Sequence, residues 1–82
     1  MELVKAVCIR DVVFKDSVEF DENGYLIKES LEIDFIKEKE YVFLKDKDKY
    51  TSINEYDDKH IFNENDFRIF FKEIYSVSVL KK

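Results

Sequence analysis

Apolar residues fall on every second position over most of this 82-residue chain, and that rhythm changes only once, near the end. A period of two suits strands, whose side chains point alternately to opposite faces, and a period of 3.6 suits a helix. Leu3 to Ile9 is apolar on both alternating faces and reads as a central strand, which resumes at Val12-Val13-Phe14 after Arg10-Asp11. Val18-Glu19-Phe20 and Tyr25-Leu26-Ile27 flank Asp21-Glu22-Asn23-Gly24, which holds the single glycine. Asn-Gly accepts positive φ readily and is a strong hairpin signal, so residues 17–28 are expected to form a hairpin.

Leu31, Ile33 and Phe35 alternate with Glu32 and Asp34, the pattern of a half-buried strand. Residues 40–45, 50–54 and 60–62 are three further strand segments, separated by the polar turns 46–49 and 55–58, and read as a meander. Phe67, Phe70, Phe71 and Ile74 then sit at i, i+3, i+4 and i+7, one face of a helix expected over 64–73. Asn63 is placed to cap it, with Asp66 at the third helical position. Tyr75, Val77 and Val79 alternate with Ser76 and Ser78 in a closing strand.

A chain of this length builds one core, so residues 1–82 are expected to form one domain. Eight Phe and five Tyr give it enough apolar area to offset the entropy of ordering. The net charge is −5, and Lys residues interleave with acids, as in Lys37 to Glu40 and Lys45 to Lys49. Such runs form solvated faces, and no basic stripe is present for phosphate, which disfavours nucleic acid as a partner. Cys8 is the only cysteine, so no internal disulfide can form and a reducing cytoplasm is expected. The N-terminus lacks the apolar core of a signal peptide, and no apolar run reaches the ~20 residues a membrane helix needs. Abundant Lys, Ile, Phe, Asn and Tyr, with little Gly, Ala, Arg or Pro, reflect AT-rich codons. A low-GC bacterium, or a phage or mobile element within one, is the expected source.

Motifs for chemistry are weak. Asp46, Asp48 and Tyr50 resemble the start of a calcium loop, but Tyr50, Thr51 and Asp57 stand where that loop needs an oxygen donor, Gly and Glu. Asp57, Asp58 and His60 could bind a cation only by converging, yet adjacent residues on an extended chain point apart. Cys8 lies in an apolar strand without neighbouring cations and reads as a buried structural thiol. With one Gly the chain has no phosphate-cradling loop. No catalytic residue, metal or cofactor is expected.

From Lys37 to Phe67 the chain resembles a family of very short bacterial and phage proteins with an SH3-like barrel. The matching features are Lys39-Glu40-Tyr41-Val42-Phe43, the acidic turn 45–49, Ile53-Asn54-Glu55, His60-Ile61-Phe62 and Phe67. The family pattern carries Gly before the first of these strands, where this chain has Glu38, and its N-terminal part is shorter. The hairpin around 17–28 therefore reads as an insertion after the first strand. The resemblance implies a protein that is not an enzyme and that binds peptides, proteins or nucleic acid.

The expected fold is mainly β: a small SH3-like barrel or bent antiparallel sheet with one short helix, with an α+β sheet covered by that helix as the alternative. The expected function is a non-enzymatic protein-interaction module. It could be a phage or mobile-element modulator that blocks a host protein such as a defence nuclease. The alternatives are an acidic DNA mimic and a nucleic-acid-binding barrel. Tyr41, Tyr50, Tyr56, Asp57 and Asp58 are the candidate contacts with a protein partner, because Tyr is rigid and amphipathic and is enriched at interfaces. An exposed sheet edge could also pair two copies.

Overall fold

The structure, a computed structural model, describes residues 1–79, and the side chains of all of these except 14–18 and 28–31. The elements are β1 (Glu2–Cys8), β2 (Val12–Phe20), β3 (Leu26–Phe35), β4 (Glu40–Asp46), β5 (Lys49–Ile53), β6 (Lys59–Asn63), α1 (Glu64–Phe70) and β7 (Phe71–Ser78). Five strands form one antiparallel sheet in the order β6-β5-β4-β1-β7, and β2 and β3 form a separate two-stranded ribbon. The fold is mainly β, a bent antiparallel sheet with one short helix.

The bend follows from connectivity. α1 joins β6 to β7, the two outer strands of the sheet. Seven helical residues span about 10 Å, whereas the edges of a flat five-stranded sheet lie about 19 Å apart. The sheet must curl to bring its edges within reach. β6 and β7 do not pair, so the barrel expectation resolves to an open, curled sheet.

The curl encloses an aromatic core. Alternate residues of β1 (Val4, Ala6, Cys8) and β4 (Tyr41, Phe43) point inward, joined by Phe35, Tyr50, Phe62, Phe67 and Phe71. Phe43 packs edge-on to Phe71 and Phe67 with ring centroids 4.7 and 5.1 Å apart, and Tyr50 stacks on Phe67 at 3.9 Å. Such pairs each contribute about 0.5–1.5 kcal/mol beyond their burial. Asn63 caps α1, its Oδ1 accepting from the Asp66 N–H at 2.8 Å.

Three expectations are corrected. The helix ends at Phe70, not at residue 73, because Phe71 adopts extended backbone (φ −135°, ψ 150°) and pairs with Cys8. Ile74 therefore lies in β7, exposed, and not on a helix face. Residues 31–35 are not a separate half-buried strand: they continue β3, with Ile33 exposed and Asp34 buried. The expected inward placement of Leu31 lies outside the described side chains.

The β2–β3 ribbon dominates the shape. The molecule measures 60 × 25 × 21 Å, with a radius of gyration of 16.2 Å. A compact chain of this length has a radius near 12 Å. The ribbon is thus an arm, and the five-stranded sheet with α1 is the body.

Candidate interaction surface

Among the described residues, the arm is fastened at its root. Val12 and Phe35 face each other at the base of the ribbon, and both are buried in the core. Phe35 meets Tyr41, Phe62 and Phe71 edge-on at 4.8, 5.4 and 5.4 Å. Main-chain bonds fix the two crossings into the body: Glu38 N–H donates to Cys8 O at 2.6 Å and Cys8 N–H to Lys39 O at 2.9 Å. Asp11 accepts from the Lys37 N–H at 2.6 Å. The turn into β4 leaves Glu38 at φ +74°, in the left-handed region.

At the far end, the chain reverses through a three-residue loop. Gly24 N–H donates to Asp21 O at 3.0 Å, and Asp21 N–H to Tyr25 O at 2.9 Å. Asp21 Oδ1 accepts from the Asn23 and Tyr25 N–H groups, both at 2.9 Å. Gly24 sits at φ +85°, so this is a turn followed by a left-handed glycine, one of the standard hairpin solutions. The expected hairpin at Asn23-Gly24 is therefore present, as the tip of a longer ribbon.

That tip is apolar and uncovered. Tyr25 is 72% exposed, Ile27 64%, Phe20 61% and Leu26 54%. Phe20 and Leu26 are paired across the ribbon, and Tyr25 and Ile27 flank Leu26 in sequence. A two-stranded ribbon has no second layer of its own, so both of its faces meet solvent. Clustered exposed aromatic and aliphatic groups of this kind mark interaction sites.

The five candidate residues divide. Tyr41 and Tyr50, at 8% and 4% exposed, are core residues and offer little surface to a partner. Tyr41 is also a polar fastener: its hydroxyl donates to Glu55 Oε2 and accepts from the Ile36 N–H, both at 2.8 Å. Burial, with Glu55 alongside, pushes its pKa up to about 12. Glu55 is drawn below the usual carboxylate range by its hydrogen bonds from Lys39 and Tyr41.

Tyr56, Asp57 and Asp58 stand together on the β5–β6 turn, and Tyr56 is 52% exposed. Asn54 holds this turn, its Oδ1 accepting from the Tyr56 and Asp58 N–H groups at 2.9 Å each. Glu55 N–H donates to the main-chain carbonyl of Asp34 at 2.8 Å, tying the turn to the arm root. The turn thus lies at the opposite end of the arm from the tip.

A further apolar surface was missed in the sequence. On the outer face of the sheet, Val77, Leu3, Leu44, Thr51 and Ile61 are aligned in register across all five strands. Val42 and Ile53 lie one period along on the same face, both exposed. The signal was present in the continuous apolar run Tyr41-Val42-Phe43-Leu44, whose two faces cannot both point inward.

Among the described residues, chemistry-bearing groups do not gather as metal ligands. Cys8 is buried, its thiol donates to Arg10 O at 2.8 Å, and burial raises its pKa, which suits a structural thiol. Among the described residues, no three His, Cys, Asp or Glu side chains converge as metal ligands, and no helix is long and apolar enough to cross a membrane. Comparison with protein-family models, with curated proteins and with solved structures finds no match to this chain.

Proposed function

We propose that this chain is a non-enzymatic protein-interaction module that reaches its partner with the tip of the β2–β3 arm. The supporting observation is the arm itself, which stretches the molecule to 60 Å and carries Phe20, Tyr25, Leu26 and Ile27 at its exposed end. A ribbon that packed for stability would fold back on the body and cover these side chains. Held out, they offer a hydrophobic, partly aromatic contact of the kind found at the centre of protein interfaces. A nucleic-acid surface asks for cations and a DNA mimic for carboxylates, so an apolar tip favours a protein partner over both.

The SH3-like reading belongs with this proposal. A meander, a short helix and a closing strand that pairs back on β1 support it. So does the left-handed backbone at Glu38, the position where the resembling family carries Gly. The AT-rich codon signature favours a chain encoded by a phage or mobile element, acting in a bacterial cytoplasm to block a host protein such as a defence nuclease.

The test is a Phe20→Ser, Tyr25→Ser double variant. Wild-type protein should recover one stoichiometric protein from lysate of a low-GC bacterium, and the variant should not, while its melting temperature stays within a few degrees. Equal recovery by both proteins would show that the arm tip is not the contact.

A further inference from the structure

We infer that two copies of this chain pair antiparallel through the outer edge of β7, with Val77 on the two-fold axis. β7 is an eight-residue outer strand whose only strand partner among the described residues is β1. Sheet edges are normally blunted by short length, charge, proline or a bulge. The opposite edge, β6, has five residues and includes Lys59. β7 carries no charge from Ile74 to Val79 and no proline. Its protective devices sit at its start: the charges of Lys72 and Glu73, and a bulge in which Lys5 pairs with Tyr75 and Ala6 with Glu73, leaving Ile74 without a partner on β1. Beyond the bulge, Tyr75 to Val79 is a regular, uncharged edge.

The backbone fixes which groups are free. Val79 N–H donates to Met1 O at 3.1 Å, and Val77 and Tyr75 oppose Leu3 and Lys5 in the same register. In an antiparallel ladder, hydrogen-bonding sides alternate residue by residue, so Tyr75, Val77 and Val79 turn their N–H and C=O groups to β1. Ser76 and Ser78 turn theirs outward. Placing Ser76 of one copy opposite Ser78 of the other lets both residues exchange both main-chain bonds, and symmetry doubles the set.

This register matches the side chains as well. Val77 meets its own copy in a closely spaced pair that is not hydrogen-bonded, and Tyr75 meets Val79. Aromatic–β-branched and Ser–Ser neighbours are favourable cross-strand pairs. It also keeps both bulges outside the paired segment. Each chain carries −5, yet no charge lies within the contact, so no like charges are forced together. The occupant is a second copy because one segment satisfies both sides of the two-fold. The apolar row Val77-Leu3-Leu44 then continues across the junction into the partner's row. Cys8 and Phe71 lie at the end of the β1–β7 pair that leads to the arm. The antiparallel arrangement therefore roots the two arms at opposite ends of the dimer. The inference rests on β7 alone and stands whether or not the arm tip binds a partner.

Sedimentation equilibrium of the full chain, from micromolar to millimolar concentration, tests it with charge-swap variants. Wild type should show a reversible monomer–dimer equilibrium. Val77→Lys and Val77→Glu, at an exposed side chain, should each weaken dimerisation by roughly tenfold or more. Mixed in equal amounts, the two variants should dimerise again, since Lys then faces Glu. A wild type that stays monomeric at millimolar concentration overturns the inference. So does a lysine variant that pairs as tightly as wild type, or a mixture that fails to pair.

Discussion

The body and the arm are both antiparallel β-structure, yet they are stabilised differently. In the body, every strand sends at least one side chain into an enclosed aromatic core, β7 through Phe71 alone, and Phe43 lies against Tyr50, Phe62, Phe67 and Phe71. Among the arm's described side chains, only Val12 and Phe35 at the root enter that core, and the tip is held by the Asp21–Tyr25 loop. Alternation thus has two meanings in one chain. It encodes burial where another layer covers the strand, and it encodes a presented surface where none does.

The largest expected effect comes from breaking the body. Phe43→Ala removes a fully buried ring and should cost about 3–5 kcal/mol, a large share of the stability of a domain this size, as measured by urea unfolding. Comparable loss from a change at the arm tip would erase the distinction between the two regions.

Gly24→Ala should act on the arm alone. No atom lies within 4 Å of the added methyl group, so the cost is that of holding an L-residue at φ +85°, about 1–2 kcal/mol. Amide exchange at Glu19 to Tyr25 should accelerate, while the main melting transition moves little. A matching fall in the melting temperature would mean that arm and body unfold as one.

Acid should act on the arm root. Folding lowers the Glu55 pKa, so its contribution is present above its ordinary value of 4.5 and is lost as pH falls through the lower folded value. Glu55→Gln should flatten that part of the stability–pH curve. An unchanged acid limb in the variant would mean that the Glu55 bonds to Lys39 and Tyr41 do not stabilise the arm root.

The smallest effect is a gain. Glu38→Gly relieves left-handed backbone at φ +74° at some cost in chain entropy. The net should be about +0.5 kcal/mol, seen as a rise of roughly 2–4 °C in melting temperature. A fall would mean that the Glu38 side chain contributes more than its backbone costs.

Much of this architecture was legible in the sequence. The meander, the hairpin at Asn23-Gly24 and the helix start at Asn63 each follow from local chemistry that tertiary contacts do not override. What was hidden depends on which neighbour covers a face. Tyr is equally suited to core and surface, so Tyr41 and Tyr50 could be sorted from Tyr56 only by position. Leu31 to Phe35 has the alternation of a covered strand, yet Ile33 faces solvent because the ribbon leaves the body there. The helix face through Ile74 was outcompeted by pairing with β1, which takes over at Phe71.

Native-state hydrogen exchange tests the division between body and arm most directly. Amides of Glu19 to Ile27 should exchange through local openings well below the global unfolding free energy, while those of Tyr41 and Phe43 exchange only with global unfolding. Equal protection in the two sets would contradict it, because the ribbon would then be part of the body's cooperative core and not a free arm.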